Sequence, residues 1–596
     1  MRAPIMTRPT AVPDSTGAQG VLVDPRRGDI EDDAASPGQR SLLAIAGSLL
    51  VEISLPKLLF AWTVSLLLPA VLLGLAPLVA SAWLLTLSGR FFALTGIGAA
   101  LVLSAIVAVG WIGWRPLLRI AETNFWSLNA LAVQPGYAFG REALRHLAEL
   151  MLGKNSTAAG RARLRAANSL AAGIGLCACA VLVAVLVWPL SRWTGSLSDL
   201  VLLHRLVVPT LANAVVLMSG YLAVASLLWG LADASMEQPL DLAGFDAAPS
   251  GGRTWRVAHL SDIHVVGEQY GFRIESGRAG PRGNERLDQA MARLAAIHAA
   301  QPLDHVLITG DMTDAGRASE WAEFLDALSR HPDLAARTVM LPGNHDVNIV
   351  DRANPARLDL PFSPGKRLRQ MRTLSAMAAV QGNRLRVVDR SGRLTATLHE
   401  ALAPHRERIA DFADRGGLRG AAALRGIFDD QFPMILPPDR EDGLGVAILN
   451  SNAETHFSFT NALGLVSVEQ VHRFAAAIDG FPGARWIVAL HHHLMEYPMP
   501  VTAFSERIGT ALINGSWFVR KLEAFADRAV VMHGHRHIDW IGTCGALKMI
   551  SAPSPVMGAK DDAPTHFYIH TLAAGPDGKL CLLAPERVEI AGRAGG

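Results

Sequence analysis

Five short clusters of carboxylate, amide and imidazole residues occur in order through the C-terminal half of this 596-residue chain. They read Ser-Asp-Ile-His from Ser261 to His264, Gly-Asp-Met-Thr-Asp-Ala-Gly from Gly310 to Gly316, Gly-Asn-His-Asp from Gly343 to Asp346, three histidines from His491 to His493, and Gly-His-Arg-His from Gly534 to His537. Mixed oxygen and imidazole donors suit borderline cations such as Mn, Fe or Zn, whereas an all-oxygen set would suit Mg or Ca. Together the clusters supply enough ligands for two divalent ions side by side, an arrangement that activates water and clamps an oxyanion. Cysteine plays no part in it: Cys177 and Cys179 sit inside an apolar run, while Cys544 and Cys581 are isolated, so neither a disulfide framework nor a cysteine zinc module is indicated.

Each cluster needs a rigid element to aim it. Trp255 to Leu260 runs into the first, Asp304 to Gly310 into the second, Thr338 to Gly343 into the third, Arg485 to Leu490 into the fourth and Arg528 to Gly534 into the fifth. All five stretches are apolar and rich in β-branched residues, the pattern of buried strands. Helical spacing from Ser319 to Arg330 and from Ser467 to Ile478 lies between them. Such alternation predicts an α/β fold, and strand ends are where layered sheets of this class place their sites.

The ordered set Asp-x-His, Gly-Asp, Gly-Asn-His-Asp, His and Gly-His-x-His resembles the calcineurin-like metallophosphoesterase superfamily over residues 253–590. The resemblance implies a β-sandwich flanked by helices and a centre of two divalent metal ions. It makes Asp262, His264 and His537 ligands of the first ion and Asp311 the bridge, with Asn344, His535 and one histidine of the 491–493 run completing the second. His491 aligns best with the family's His-His-Pro pattern and His492 is the fallback, because Leu494 stands where the proline would fix the register. The same resemblance gives a water between the ions as nucleophile and His345 as general acid for the leaving alkoxide. Asp314 and Asp346 either orient a ligating histidine or cap the helix that follows, and His259 and His533 read as structural.

Protein phosphatases of the superfamily carry an arginine in the second cluster. Here that cluster is Gly-Asp-Met-Thr-Asp-Ala-Gly, which is more similar to the phosphodiesterase-like branch. Between Asp346 and His491 the connection is too long to be a bare loop, so an insertion or cap is expected at 350–440. Its Arg367, Arg369, Arg372, Arg384 and Arg386 form either a solvated basic face or a contact for an anionic substrate.

The N-terminal half has a different composition. Of 20 histidines only His146 and His204 precede His259, and the long apolar runs all lie before residue 240. Charged residues are 18% of the chain, mean hydropathy is +0.25 and net charge +2, which points to a membrane protein and away from a nucleic-acid polymer as partner. Residues 1–41 read as a disordered tail, and 42–232 as an all-α transmembrane domain of four helices near 58–87, 91–114, 170–190 and 207–232. Pro69 and Pro77 predict a kink or break in the first.

Trp62, Trp83, Trp111, Trp114, Trp188, Trp193 and Trp229 cluster near the ends of the spans, at the level indoles favour. Lys and Arg concentrate in the tail and in the loop at 115–168, leaving Arg90, Arg192 and Arg205 opposite, so that loop and the C-terminal domain, joined by a linker at 233–252, are expected on the cytoplasmic face of an inner or plasma membrane. Membrane lipids are the expected partners, and Asn213, a lone amide in the last span, reads as a helix-packing contact. The sequence thus predicts a membrane-anchored binuclear phosphohydrolase, a phosphodiesterase acting on a nucleotide or a lipid-linked phosphoester. A non-catalytic membrane sensor or scaffold that uses the metal domain for binding is the alternative.

Overall fold

Strands that bury both faces must be covered on both sides, and that requirement organises the C-terminal half. The computed structural model describes residues 67–91, 133–152, 158–196, 202–269, 283–351, 363–455, 461–499, 512–558 and 563–592, with isolated positions between them. Five strands lead to the five clusters: β1 (Thr254–Leu260), β2 (His305–Ile308), β3 (Thr338–Met340), β4 (Arg485–Ala489) and β5 (Ala529–His533).

β1, β2 and β3 are parallel neighbours in a six-stranded sheet, where Thr565–Ala574 pairs antiparallel with β1. β4 and β5 are parallel neighbours in the middle of a nine-stranded sheet, flanked by Leu444–Ile448 and Leu547–Ser551. Side-chain alternation shows that the sheets face each other. Ile487 and Ala489 of β4 and Val530 and Met532 of β5 share one buried cluster with Val257 and Leu260 of β1 and with Phe567 and Ile569. Their alternates Trp486, Val488, Ala529 and Val531 pack in a second cluster with Phe474, Phe518 and Leu522 on the outer helices. This is a sandwich with helical outer layers, as the resemblance implies, rather than one doubly wound sheet.

Residues 363–436 contribute helices, the longest Pro364–Gln381, and three short strands, Arg386–Val388, Leu394–Thr397 and Met434–Leu436, which extend one edge of the nine-stranded sheet. Met371, Leu374 and Met377 of the long helix join the inter-sheet core. The arginines of this region hold the fold together. Arg369 is buried and donates to Asp359 and to the Val347 carbonyl, Arg372 is buried, and Arg384 donates to the Thr338 carbonyl. Arg369 and Arg384 thus spend their guanidinium groups on backbone oxygens and a buried carboxylate, whereas Arg386 stays 43% exposed beside Glu400.

The N-terminal part is helical: α1 (Leu68–Phe91), α2 (Gln134–Leu152), α3 (Ala158–Val187) and α4 (Val207–Ala234). Segments at Leu68–Ser88, Gly160–Leu190 and His204–Ala234 are each long and apolar enough to cross a membrane. Leu84, Leu85, Val185, Leu186, Val224 and Leu228 are 58–67% exposed, an apolar girdle that water would not tolerate at this extent. The span expected at 91–114 and the tail at 1–41 lie outside the described residues but for single positions. α1 continues unbroken through Pro77, and Pro69 is its second residue, directly after the π-helical Leu67. α3 and α4 cross at Gly173 and Gly230, where a Cβ on Gly173 would lie 2.9 Å from the Gly230 Cα. Asn213 ties helices together: its Nδ2 donates to the Gly74 carbonyl (3.2 Å) and the Arg192 carbonyl (2.6 Å), and its Oδ1 accepts from Arg192 N (3.0 Å).

Candidate metal centre

Chain direction must reverse abruptly for a strand to leave its last side chains hanging over a sheet edge. Asp262, His264, Asp311, His535 and His537 all adopt left-handed φ, between 51° and 79°, and among the described residues they are the non-glycine positions that do so. Such conformations cost of order 1 kcal/mol or more each and persist where surrounding contacts over-determine them. Here the contacts are backbone bonds between clusters. Asp262 N donates to the Gly310 carbonyl (3.0 Å), His264 N to the Asp311 carbonyl (2.9 Å) and Gly534 N to the His491 carbonyl (3.0 Å). Gly343 lets two clusters touch, since a Cβ there would lie 2.1 Å from Asp311 Oδ1.

The side chains form two groups. In the first, His537 Nε2 lies 3.4 Å from Asp262 Oδ1 and 3.3 Å from His264 Nε2, which is itself 3.7 Å from Asp311 Oδ2. In the second, His491 Nε2 lies 3.3 Å from Asp311 Oδ2, 3.0 Å from Asn344 Oδ1 and 3.1 Å from His535 Nδ1. Asp311 faces both. Donor atoms of Asp262, His264 and His537, and of Asp311, His491 and His535, fall within 4.8 Å of one another.

The chemistry of these atoms fits cations. His491 Nδ1 donates to the Thr309 carbonyl (2.8 Å), so its Nε2 lone pair is turned toward two oxygens and another imidazole nitrogen. Asp262 Oδ1 and His535 Nε2 are buried with no hydrogen-bond partner. Burial opposes ionisation of Asp311, yet the adjacent His491 and His345 rings hold its carboxyl well below the usual range. Burial depresses His491, and the Asp311 carboxylate overrides it, raising the ring to about 9. His535 is driven well below its ordinary value by burial and by the rings of His492 and His491.

Of the three consecutive histidines, His491 is the one turned into this cluster. His492 Nδ1 is 2.9 Å from Ser451 Oγ, and His493 Nε2 is 3.7 Å from Glu496. His345 stands edge-on to His264 with ring centroids 4.5 Å apart, and its Nδ1 donates to the Asp314 carbonyl (2.6 Å). His259 Nε2 meets Thr309 Oγ1 at 3.0 Å and His533 is buried beside Gly534, both away from the donor groups.

Supporting residues complete the centre. Asp314 Oδ1 is 3.4 Å from His264 Nδ1 and orients that ring. Asp346 accepts from Gly343 N (2.9 Å), Thr313 N (2.9 Å) and Thr313 Oγ1 (2.7 Å), tying the second cluster to the third; burial and the nearby Asp311 push it up to about 7. Ser451 and Ser554 escaped the sequence reading. Ser451 Oγ accepts from His491 N (3.2 Å) and His492 N (3.1 Å), and Ser554 Oγ donates to the Asp262 carbonyl (2.6 Å). Ser451 follows the strand Leu444–Ile448, so the rule that polar residues at strand ends build the site would have found it.

Residues 256–404 match the family model of the calcineurin-like phosphoesterases. Over 110 residues the chain is 30% identical to a probable cyclic nucleotide phosphodiesterase of Coxiella burnetii, covering 18% of this chain and 38% of that protein. The match thus spans well under half of that relative's length. Among solved structures, a dimetal phosphatase from Danio rerio aligns with 13% identity and a TM-score of 0.31 over 56% of this chain and 98% of that one. A putative 5'-nucleotidase from Staphylococcus aureus aligns with 12% identity and a TM-score of 0.31 over 57% and 55%.

Proposed function

We propose that this chain, which carries a calcineurin-like phosphoesterase domain, is a membrane-anchored, binuclear metal-dependent phosphohydrolase that cleaves phosphodiesters, with a nucleotide or lipid head group as the substrate class. One observation carries the reading. Donor atoms from five strand ends converge in two groups with Asp311 facing both, and the buried His535 Nε2 among them has no hydrogen-bond partner.

Asp262, His264 and His537 would hold one cation, and Asn344, His491 and His535 the other, with Asp311 between. Bound there, divalent cations supply Lewis-acid charge that acidifies water and offsets negative charge on the phosphoryl oxygens. The chain's own residues do the rest. Thr309 fixes the tautomer and orientation of His491, and the Asp314 carboxylate lies beside His264 Nδ1. His345 Nε2, whose partner nitrogen is committed to the Asp314 carbonyl, delivers a proton to the departing alkoxide, a role worth about 100- to 10,000-fold.

The absence of arginine from Gly310 to Gly316 supports a diester over a phosphoprotein. The apolar helices α1, α3 and α4 support anchoring, and the excess of Lys and Arg at 115–168 over the opposite turns supports a cytoplasmic catalytic domain.

The test uses the full chain in detergent micelles with Mn. Bis-(p-nitrophenyl) phosphate should turn over faster than p-nitrophenyl phosphate, and both rates should vanish with chelator. A preparation that binds two Mn per chain yet hydrolyses neither ester, nor any cyclic nucleotide, glycerophosphodiester or lipid pyrophosphate, would be a metal-binding sensor instead.

A further inference from the structure

The membrane helices touch the loop that carries the histidine run. Arg165, on α3 and buried, donates from Nη2 to the Tyr497 carbonyl at 2.8 Å. Nearby, Trp517 packs against the cluster of Val133, Tyr137, Ala172, Ala225 and Trp229, and Arg520 Nη1 reaches the Ala232 carbonyl at 3.3 Å. A cavity of about 70 Å³ lies at this junction, walled by Arg141, Glu142, Arg145 and Asp233 on the helix side and by His493 and Glu496 on the catalytic side.

Charges pair along both walls. Arg141 lies 3.0 Å from both Glu142 and Asp233, and Arg145 lies 3.6 Å from Glu142. Glu496 lies 3.3 Å from Arg536 and 3.7 Å from His493. The path then enters the metal centre: His493 stacks on His535 with centroids 5.9 Å apart and planes 15° from parallel, and His535 Nδ1 is 3.1 Å from His491 Nε2.

Residues 491–499 belong to no helix or strand, so no ladder of backbone bonds sets their course. A segment of that kind opens locally unless side chains pin it. Tyr497 is pinned through its carbonyl by a guanidinium from a membrane helix 332 residues away, and Glu496 is pinned within the loop's own side by Arg536 of the fifth cluster.

We infer that Arg165 and Glu496 are positioning residues for His491 and His535, so that the seating of the membrane helices sets the affinity of the second cation. The inference rests on the reading that Asp311, Asn344, His491 and His535 hold that cation. The helices are then part of the support of the centre as well as its anchor, and a change in how α3 meets the catalytic domain reaches the histidine loop by way of the Arg165–Tyr497 hydrogen bond.

Mn binding to the full chain in lipid nanodiscs, read from the electron paramagnetic resonance signal of free Mn, tests this without turnover. In Arg165→Met the weaker step of the two-site isotherm should move to about tenfold higher Mn, the change that loss of one charge-assisted hydrogen bond produces at the low end of its range. Arg165→Lys, which keeps a donor, should recover most of that shift, and Glu496→Gln should move the same step in the same direction. Should Arg165→Met fail to fold, Arg165→Lys and Glu496→Gln carry the test.

A general loss of stability would reduce the number of sites without shifting the step, and that result overturns the inference, as does an isotherm of Arg165→Met or Glu496→Gln identical to the unaltered chain's. The hydrolase reading fails separately: an unaltered chain that binds two Mn and hydrolyses nothing removes it, while the isotherms still decide the role of Arg165.

Discussion

Asp311 and His491 meet across the sandwich, Oδ2 to Nε2 at 3.3 Å, the first from the end of β2 in the six-stranded sheet and the second from the end of β4 in the nine-stranded sheet. Neither sheet alone contains the centre. Its geometry is therefore set by inter-sheet packing, through residues such as Ile308 on one side and Ala489 on the other, both fully or almost fully buried.

Asp311→Asn keeps the shape at that junction and removes the shared negative charge. Loss of a supporting residue around a metal ligand typically costs 10- to 100-fold, so loss of a carboxylate facing both groups should cost more than about 100-fold in diester turnover. Metal analysis should show fewer than two Mn per chain. Wild-type turnover with two Mn bound would show that Asp311 does not bridge.

His345→Ala should separate metal binding from proton delivery. Its main-chain N still donates to Asp311 Oδ1 (2.8 Å), so the variant should retain both cations. Hydrolysis of an alkyl phosphodiester should fall by about 100- to 10,000-fold, while bis-(p-nitrophenyl) phosphate, whose leaving group needs no proton, should lose far less. Equal losses on both substrates would point to a positioning role.

The candidate ligands were legible because each lies next to its own strand: Asp262 needs only Trp255 to Leu260 before it, and His535 only Ala529 to His533. The residues that hold them were not. Ser554 supports Asp262 from 292 positions away, and Arg165 supports the histidine loop from 332. No local periodicity announces either contact, since each depends on how whole layers pack. Arg386–Val388 and Met434–Leu436 escaped for the opposite reason: three-residue strands are too short to show a period of two, and only the sheet edge beside Leu444–Ile448 makes them strands.

Removing the cations should destabilise the catalytic domain. Without cations the centre keeps five non-glycine residues at left-handed φ and a buried His535 Nε2 with no hydrogen-bond partner, both unfavourable. Free Mn at 1,000 times its Kd should add about 4 kcal/mol relative to the chelated protein. Differential scanning calorimetry of the full chain should show the upper transition rising by several degrees as Mn is titrated, and Asp311→Asn should blunt that rise. A transition indifferent to Mn would mean that the clusters bind no metal in the folded state.

Glu320 offers a pH test at a residue that is not itself a candidate metal ligand. Its Oε2 accepts from Ala315 N (2.8 Å) and Arg317 N (3.1 Å), which fixes the turn leaving the second cluster. Burial pushes its pKa up to about 7 against the pull of Arg317, from about 4.3 in an unfolded chain. The folded state therefore binds this proton more tightly than the unfolded state. The stabilising contribution is complete below pH ~4.3, declines as pH rises toward 7 and is gone above it, a loss on the order of 3–4 kcal/mol. Glu320→Gln keeps an acceptor oxygen for both N–H groups and cannot ionise. Relative to the unaltered chain, its melting temperature should gain by several degrees between pH 5 and pH 8, measured with saturating Mn in both proteins. A difference that stays constant across that range would mean Glu320 ionises in the fold as readily as in solution, and the turn would then have to be held by Arg317.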